Sequence, residues 1–519
     1  MERKRPPISA ALAAVLPPTL KPWYCQGHLV RLNALLLVPL LSSTVVGYDG
    51  ALINGMQSLP AFKASFSSPT GARLGLIIAA QGLGSLIALP VVPQMCDRLG
   101  RRPALAIGLA FTVMSAAINA CSVNYAMLVA ARALVGAGAV LAIQPAALLI
   151  AELAFPTHRP VLTAIFWPGF YLGSLGAAWS TYAAGTRWPE AQWSWRLPCA
   201  VQGALPVCQL LFIALLPESP RWLVARGHNT EALDILRRYH VATEAELEPL
   251  VELEMAEINA AIEIERAAGE GWSTLLMTPG NRRRMLIVVC VGAFAMWNGV
   301  TIGSFSLPLA LETVGVKDSH SQTLINGLLQ LFNFLSAIGA AFLVDRLGRR
   351  PLFLWSGGGM LVAFVALTAC AGVFNETKSP AAGKGLIALV FVYFFHYDIA
   401  YTPLLLAYPT ELLPFTVRAK GLTVELAVFY ASLVVLSFIN PIGLANIGWK
   451  YYLVFCGLLL GMLIISFLLF PETRGYTLEE VACIFDGPRI DHEQSNLEDG
   501  QPIPPMTITA STADDGGRN

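Results

Sequence analysis

The chain has little charge. Asp, Glu, Lys and Arg make up 13% of its 519 residues, where a soluble globular domain carries roughly 25%. Net charge is absent too, since Lys+Arg and Asp+Glu both number 34. Without a basic excess, no nucleic-acid partner is expected. The nine cysteines, at 25, 96, 121, 199, 208, 290, 370, 456 and 483, are scattered with no C-x-x-C pair. They lack the spacing of a metal or dithiol site. There is no G-x-x-x-x-G-K-[ST] stretch for a nucleotide phosphate. No nucleophile–base or metal-ligand set appears, so an enzyme is not expected. Neither is a metal or cofactor. The start, MERKRPP, is basic, but the apolar run 10–16 meets Pro17-Pro18 without a convincing cleavage site. It reads as a tail, not a signal peptide.

What the chain has is apolar surface. Hydrophobic residues make up 55% and mean hydropathy is +0.59. Its length suits two or three soluble domains or one polytopic membrane protein, and the composition selects the second. Segments of about 20 mostly apolar residues lie near 33–55, 73–95, 103–122, 126–150, 161–181 and 198–216. After a polar stretch, six more follow near 285–310, 323–344, 351–373, 385–408, 420–440 and 450–470. The expected fold is all-α and integral to the lipid bilayer, with twelve transmembrane helices in two six-helix bundles, 33–216 and 285–470. A tail, 1–32, precedes them, and a second tail, 471–519, follows, disordered from about 487. Within the connector 217–284, EALDILRRYH (231–240) and EAELEPLVELEMAEINAAIEIERA (244–267) have helical periodicity, which predicts short helices.

The positive-inside rule orients the chain. With both termini cytoplasmic, 25 of the 34 Lys+Arg lie inside, eight lie outside, and one, Arg132, falls within a span. The sequon Asn375-Glu376-Thr377 then faces outward, which makes Asn375 a glycosylation candidate.

The strongest signal is duplication. DRLGRRP stands at 97–103 and again at 345–351; AELAFPTHR (151–159) matches TELLPFTVR (410–418); PESPRW (217–222) matches PETRG (471–475). Three pairs in one order mark two related halves, an architecture of secondary transporters. With GYDGALINGMQSL (47–59), MCDRLGRRPAL (95–105), INGLLQLFN (325–333), YDIAYTPLLLAYPTELLPFTVRAKG (397–421), NPIGLANIGWKYY (440–452) and PETRGYTLEEVACIFDG (471–487), the chain resembles the major facilitator superfamily. Within it, the likeness is to the sugar porter family and its fungal lactose- and hexose-permease-like branch.

That resemblance implies alternating access for a sugar or sugar-like solute, driven by the proton gradient, in a protein expected to be a plasma-membrane monomer. The repeated charges Asp97, Arg101, Glu152, Arg159 and Glu218, and then Asp345, Arg349, Glu411, Arg418 and Glu472, resemble the family's cytoplasmic gate latch; ordinary surface pairs are the alternative. Charges inside spans are costly and point to function. Asp49 and Arg132 fall at matching depths, and an acid whose Arg partner comes and goes is a proton switch. The family's proton symporters carry this Asp and Arg at these motif positions; a permanent structural pair is the alternative. Two positions where the family supplies Gln hold Trp167 and Phe294. With Asn298, Gln330, Asn333, Asp398 and Asn440 they form the candidate substrate cavity, more aromatic than a hexose site. The rings could equally face lipid. Export of a secondary metabolite, or nutrient sensing without transport, are the rival functions.

Overall fold

The computed structural model describes Val15 and residues 22–241, 247–268, 272–313, 315–474, 481 and 484–486. The tail expected to be disordered from about 487 lies outside the described residues, as does nearly all of 1–21. Among the described residues, ten helical stretches are long and apolar enough to cross a membrane. One of them, Lys420–Leu469, holds two spans. A further span is interrupted at Asn298-Gly299, which brings the total to twelve.

Span 1 is Gly27–Gln57; span 2 breaks at Pro90 into Gly71–Ala88 and Val91–Leu99; span 3 is Arg101–Ala120; span 4 is Tyr125–Leu153. Span 5 breaks at Trp167-Pro168 into Arg159–Phe166 and Gly169–Arg187, and span 6 breaks at Gly203 into Trp193–Gln202 and Ala204–Phe212. Span 7 comprises Pro279–Trp297 and Val300–Phe305. Spans 8 to 12 are Ser319–Leu347, Arg349–Thr377, Pro380–Leu412, Phe415–Ile447 and Tyr452–Leu469. In spans 1, 2, 4, 5 and 8 to 11 the helices overrun the apolar windows at both ends, because hydropathy reports the part in hydrocarbon while helical hydrogen bonding continues into the polar margin. Pro403 and Pro441 lie inside helices that run on through them.

Each half has its own core. Within the first half, span 1 packs on span 5, and span 4 on spans 2 and 3; within the second, span 9 packs on spans 10 and 12. Between halves, span 2 lies along span 11 and span 5 along span 8. In lipid such contacts depend on close backbone approach at small residues. Spans 2 and 4 meet in this way. A Cβ on Gly84 would fall on the Ala133 carbonyl, and one on Gly136 would fall on the Gln81 carbonyl.

The connector folds as Pro220–Ala225, Asn229–Leu236, a π-helical turn Arg237–Val241, and Glu248–Ala268. It docks on span 4. Buried His240 places Nδ1 2.6 Å from Glu254 Oε2 and Nε2 3.2 Å from the Leu153 carbonyl. Glu254 in turn lies 3.8 Å from Arg159.

Gly136→Ala forces spans 2 and 4 apart. We expect it to cost about 1–3 kcal/mol, as overpacking does, read as a lowered midpoint of thermal unfolding in detergent.

Candidate functional site

Asp49 and Arg132 are brought together. Both are buried, and Arg132 Nη1 lies 2.6 Å from Asp49 Oδ1. The depth match follows from helix rise. Asp49 is eight residues from the end of span 1 and Arg132 seven from the start of span 4, hence about 10–12 Å from the same end of the bundle at 1.5 Å per residue. Two glutamines complete the site. Gln202 donates to Asp49 Oδ1 at 3.0 Å. Gln81 donates from Nε2 to Asp49 Oδ2 and accepts from Arg132 Nη2 at 2.5 Å on Oε1. An amide can do both at once, so Gln81 closes a ring between acid and base. Span 2 delivers it there because Gly136 admits its backbone against span 4. The sequence reading missed Gln81 and Gln202. The available signal was an amide in an apolar span.

The halves meet through polar bonds at the end of the bundle opposite the DRLGRRP loops. Asn54 Nδ2 donates to the Gly303 carbonyl at 2.9 Å, and its Oδ1 accepts from the Leu307 amide at 3.1 Å. Gln57 donates to the Phe305 carbonyl at 2.8 Å. Lys63 and Glu312 pair at 3.1 Å, and Tyr182 lies 3.0 Å from His320. Deeper in, Tyr171 of span 5 bonds Asp398 of span 10, with Thr402 at 3.2 Å from its hydroxyl. Thr402 also donates to Asp398 at 2.9 Å. Asn54, Gln57 and Tyr171 were likewise not singled out from sequence, since contact across halves is a tertiary property.

The other cavity candidates separate. Asn298 sits in span 7's interruption; its Oδ1 accepts from the Val300 amide at 2.9 Å and the Tyr393 hydroxyl at 3.0 Å. Its Nδ2, Asn326 Nδ2, Asn333 Oδ1 and Asp398 Oδ2 are buried without hydrogen-bond partners among the described residues. Gln330 is 3.5 Å from Asn326 Oδ1. Asn440 is a brace: it donates to Thr301 and accepts from the Tyr451 hydroxyl, both at 2.8 Å. The aromatics lie apart from these groups. Phe294 stacks on Phe470 inside the second half's core, with ring centres 6.3 Å apart. Trp167 is half-buried against the first half's core.

The duplicated loops form matching clusters. Arg101 Nε is 3.1 Å from Glu152, and Arg349 Nη2 is 2.9 Å from Glu411. Glu218 accepts the amides of Arg101 and Arg102 at 3.0 and 3.1 Å; Glu472 accepts those of Arg349 and Arg350 at 2.9 and 3.1 Å. The first N–H groups of a helix have no intrahelical partner, so these carboxylates cap spans 3 and 9 from a distant part of the chain. Gly100 and Gly348, at φ 101° and 96°, make the turn, and a Cβ on either would meet the capping carboxylate. Burial pushes the Glu218 carboxyl above its usual range, while the amides of Ser219, Arg102 and Arg101 pull it back. These contacts lie within one half each. Asp97 is exposed and 3.6 Å from Arg101. Arg159 turns to Glu254, not to the Arg101 cluster, and Arg418 donates to the Leu413 carbonyl. The Asp345 side chain lies outside the described residues. Asn375 is exposed near the end of span 9, opposite these loops. Removing either cap, by Glu218→Ala or Glu472→Ala, should cost about 1–2 kcal/mol, seen as a lower unfolding midpoint, while Arg101→Lys keeps the cap.

Residues 35–485 match the family described as "Sugar (and other) transporter". Among curated relatives, the sugar transporter STL1 of Saccharomyces cerevisiae is 26% identical over 89% of this chain and 82% of its own. The sugar transport protein MST3 of Oryza sativa is 28% identical, over 78% and 77%. The MFS-type transporter criB of Aspergillus cristatus is 26% identical, over 89% and 94%. Among solved structures, the inward-open xylose transporter XylE from E. coli superposes with a TM-score of 0.72 at 21% identity, covering 88% of this chain and all of that one. A XylE structure bound to 6-bromo-6-deoxy-D-glucose gives 0.71 at 22%. The twelve-span major facilitator fold is therefore that of this protein, and the chain belongs to the sugar transporter family.

Proposed function

We propose that this protein is a proton-coupled secondary transporter that moves a sugar or sugar-like organic solute by alternating access. The Asp49–Arg132 contact and its two glutamines carry the reading. A charged pair buried at that depth is expensive to hold and is worth holding where it opens and closes. With Arg132 engaged, Asp49 stays ionised; with the pair separated, Asp49 takes up a proton. The family and the names of the relatives support a sugar as the solute. Buried amide groups at Asn298, Asn326 and Asn333 and the free oxygen of Asp398 supply donors and acceptors for hydroxyls. Phe294, held by Phe470, is left to packing.

The DRLGRRP loops, the connector and both termini face the cytoplasm in this reading, and the protein works as a monomer in the plasma membrane, with no cofactor beyond the proton gradient. The contacts from Asn54, Gln57 and Lys63 to span 7 and the short helix after it then close the external side. The Arg101–Glu152 and Arg349–Glu411 clusters keep each half's cytoplasmic end rigid while the halves rock. The rim of basic residues on that side supports the orientation.

Asp49→Asn, reconstituted in liposomes, should lose accumulation driven by a pH gradient, its solute ratio falling to about one, while exchange at equal pH persists. Accumulation by the variant would sink the coupling role. Asn375→Gln should sharpen and speed the protein's band on a gel if the end carrying Asn375 is external, and an unchanged band from a secretory host would count against that orientation.

A further inference from the structure

Glu425 lies ten residues into span 11, about 15 Å along the helix. It has 0% exposure, and neither carboxyl oxygen has a hydrogen-bond partner among the described residues. The residues on either side of it in the helix pack into apolar clusters. Val424 beside it packs on Met285, Val288 and Val417, and Leu426 and Ala427 pack on Ala88, Leu89 and Val92 of span 2. Gly292 of span 7 faces it directly, where an added Cβ would sit 3.2 Å from Glu425 Cγ.

The elements packed against span 11 give Glu425 no hydrogen-bond partner among the described residues. Span 7 carries Cys290 and, at its start, Arg284, which pairs with Asp486. Span 10 carries Tyr393, His396, Tyr397, Asp398, which bonds Tyr171, Tyr401, Tyr408 and, at its end, Glu411, which pairs with Arg349. Span 2 carries Cys96, Asp97 and Arg98, and behind it lies Asp49, engaged by Arg132. The connector helix Glu248–Ala268, which touches span 11, carries Glu254, Glu257 and Glu263. Span 11 itself carries Arg418, Lys420 and Tyr430. None of these bonds to Glu425.

An ionised carboxylate in such a place has lost its water and gained nothing in return. A group that must be neutral here, on a helix running along the seam between the halves, changes state when the seam admits water. We propose that Glu425 is a second proton-binding site, filled when the Asn54 end is closed and emptied when that end opens. It works out of phase with Asp49, which is ionised against Arg132 in the same conformation. This rests on the alternating-access reading and adds a residue that the duplicated motifs do not contain.

The test needs no solute. Spin labels at Ala64→Cys and Lys317→Cys, both exposed at the Asn54 end, report its opening in full-length protein in nanodiscs, with the other reactive cysteines changed to Ser. In an Asp49→Asn background, raising the pH should shift the population toward the long distance by up to about tenfold per pH unit, the limit for one linked proton. Adding Glu425→Gln, which imitates the protonated acid, should hold the end closed at every pH. A pH shift that persists in the Glu425→Gln variant overturns the proposal, as does its absence in the Asp49→Asn parent. Should the Glu425→Gln variant not fold, Glu425→Asp must move the midpoint, and an unmoved midpoint overturns it equally. Failure of coupling through Asp49 shows separately, as solute accumulation by Asp49→Asn alone.

Discussion

One buried contact organises the first half. Asp49 and Arg132 are charges placed where neither water nor lipid headgroups reach them, and each would be intolerable alone. Removing one partner of such a pair typically costs about 3–5 kcal/mol, because the other charge stays behind. Spans 1, 4, 2 and 6 are therefore bound to a common geometry: each must present its Asp, Arg or Gln at one depth. The backbone contacts at Gly84 and Gly136 belong to that demand. A bulkier seam would hold Gln81 too far out to bond both members of the pair.

The second half repeats the frame without the charge. Asn298-Gly299 stands in span 7 where Asp49-Gly50 stands in span 1, at nearly the offset that separates the two DRLGRRP copies. Where Asp49 takes a guanidinium from span 4, Asn298 takes the Tyr393 hydroxyl from span 10. These are the first and fourth helices of their halves, so the same crossing is built twice, once ionic and once neutral. The ends of the bundle show the opposite pattern. There both copies keep the acid, the arginine and the long-range carboxylate cap nearly unchanged. Duplicate structure is retained at the loop ends of both halves and diverges at the buried crossing, where one copy is an ion pair and the other a neutral hydrogen bond.

Much of this was legible from residues alone because charge in an apolar span is rare and expensive. Asp49 and Arg132 announced themselves on that ground, and the repeated loops did so by identity. Amides do not. Gln81, Gln202, Asn54 and Gln57 cost far less to bury than ions and look ordinary in a row of apolar letters, yet they complete the ion pair and join the halves. Phe294 shows the same dependence on packing: which way its ring faces is set in three dimensions, where it stacks on Phe470. Glu425 was legible in principle by the same rule as Asp49. Its solitude, with no partner to confirm it, is visible only in three dimensions.

The position of the inter-half bonds constrains how motion can occur. Each end cluster ties a helix start to a carboxylate in its own half, so its described contacts do not oppose rocking of one half on the other. The bonds of Asn54, Gln57, Lys63 and Tyr182 do oppose it, and all lie at one end. Most are neutral hydrogen bonds or exposed ion pairs, each worth about 0.5–1.5 kcal/mol net. A handful of such bonds is enough to bias a conformational equilibrium and weak enough to be broken by binding. The Asp49–Arg132 pair lies within one half, whereas the halves are joined by these outer bonds and, deeper in, by the buried Tyr171–Asp398 bond, all of which rocking must break.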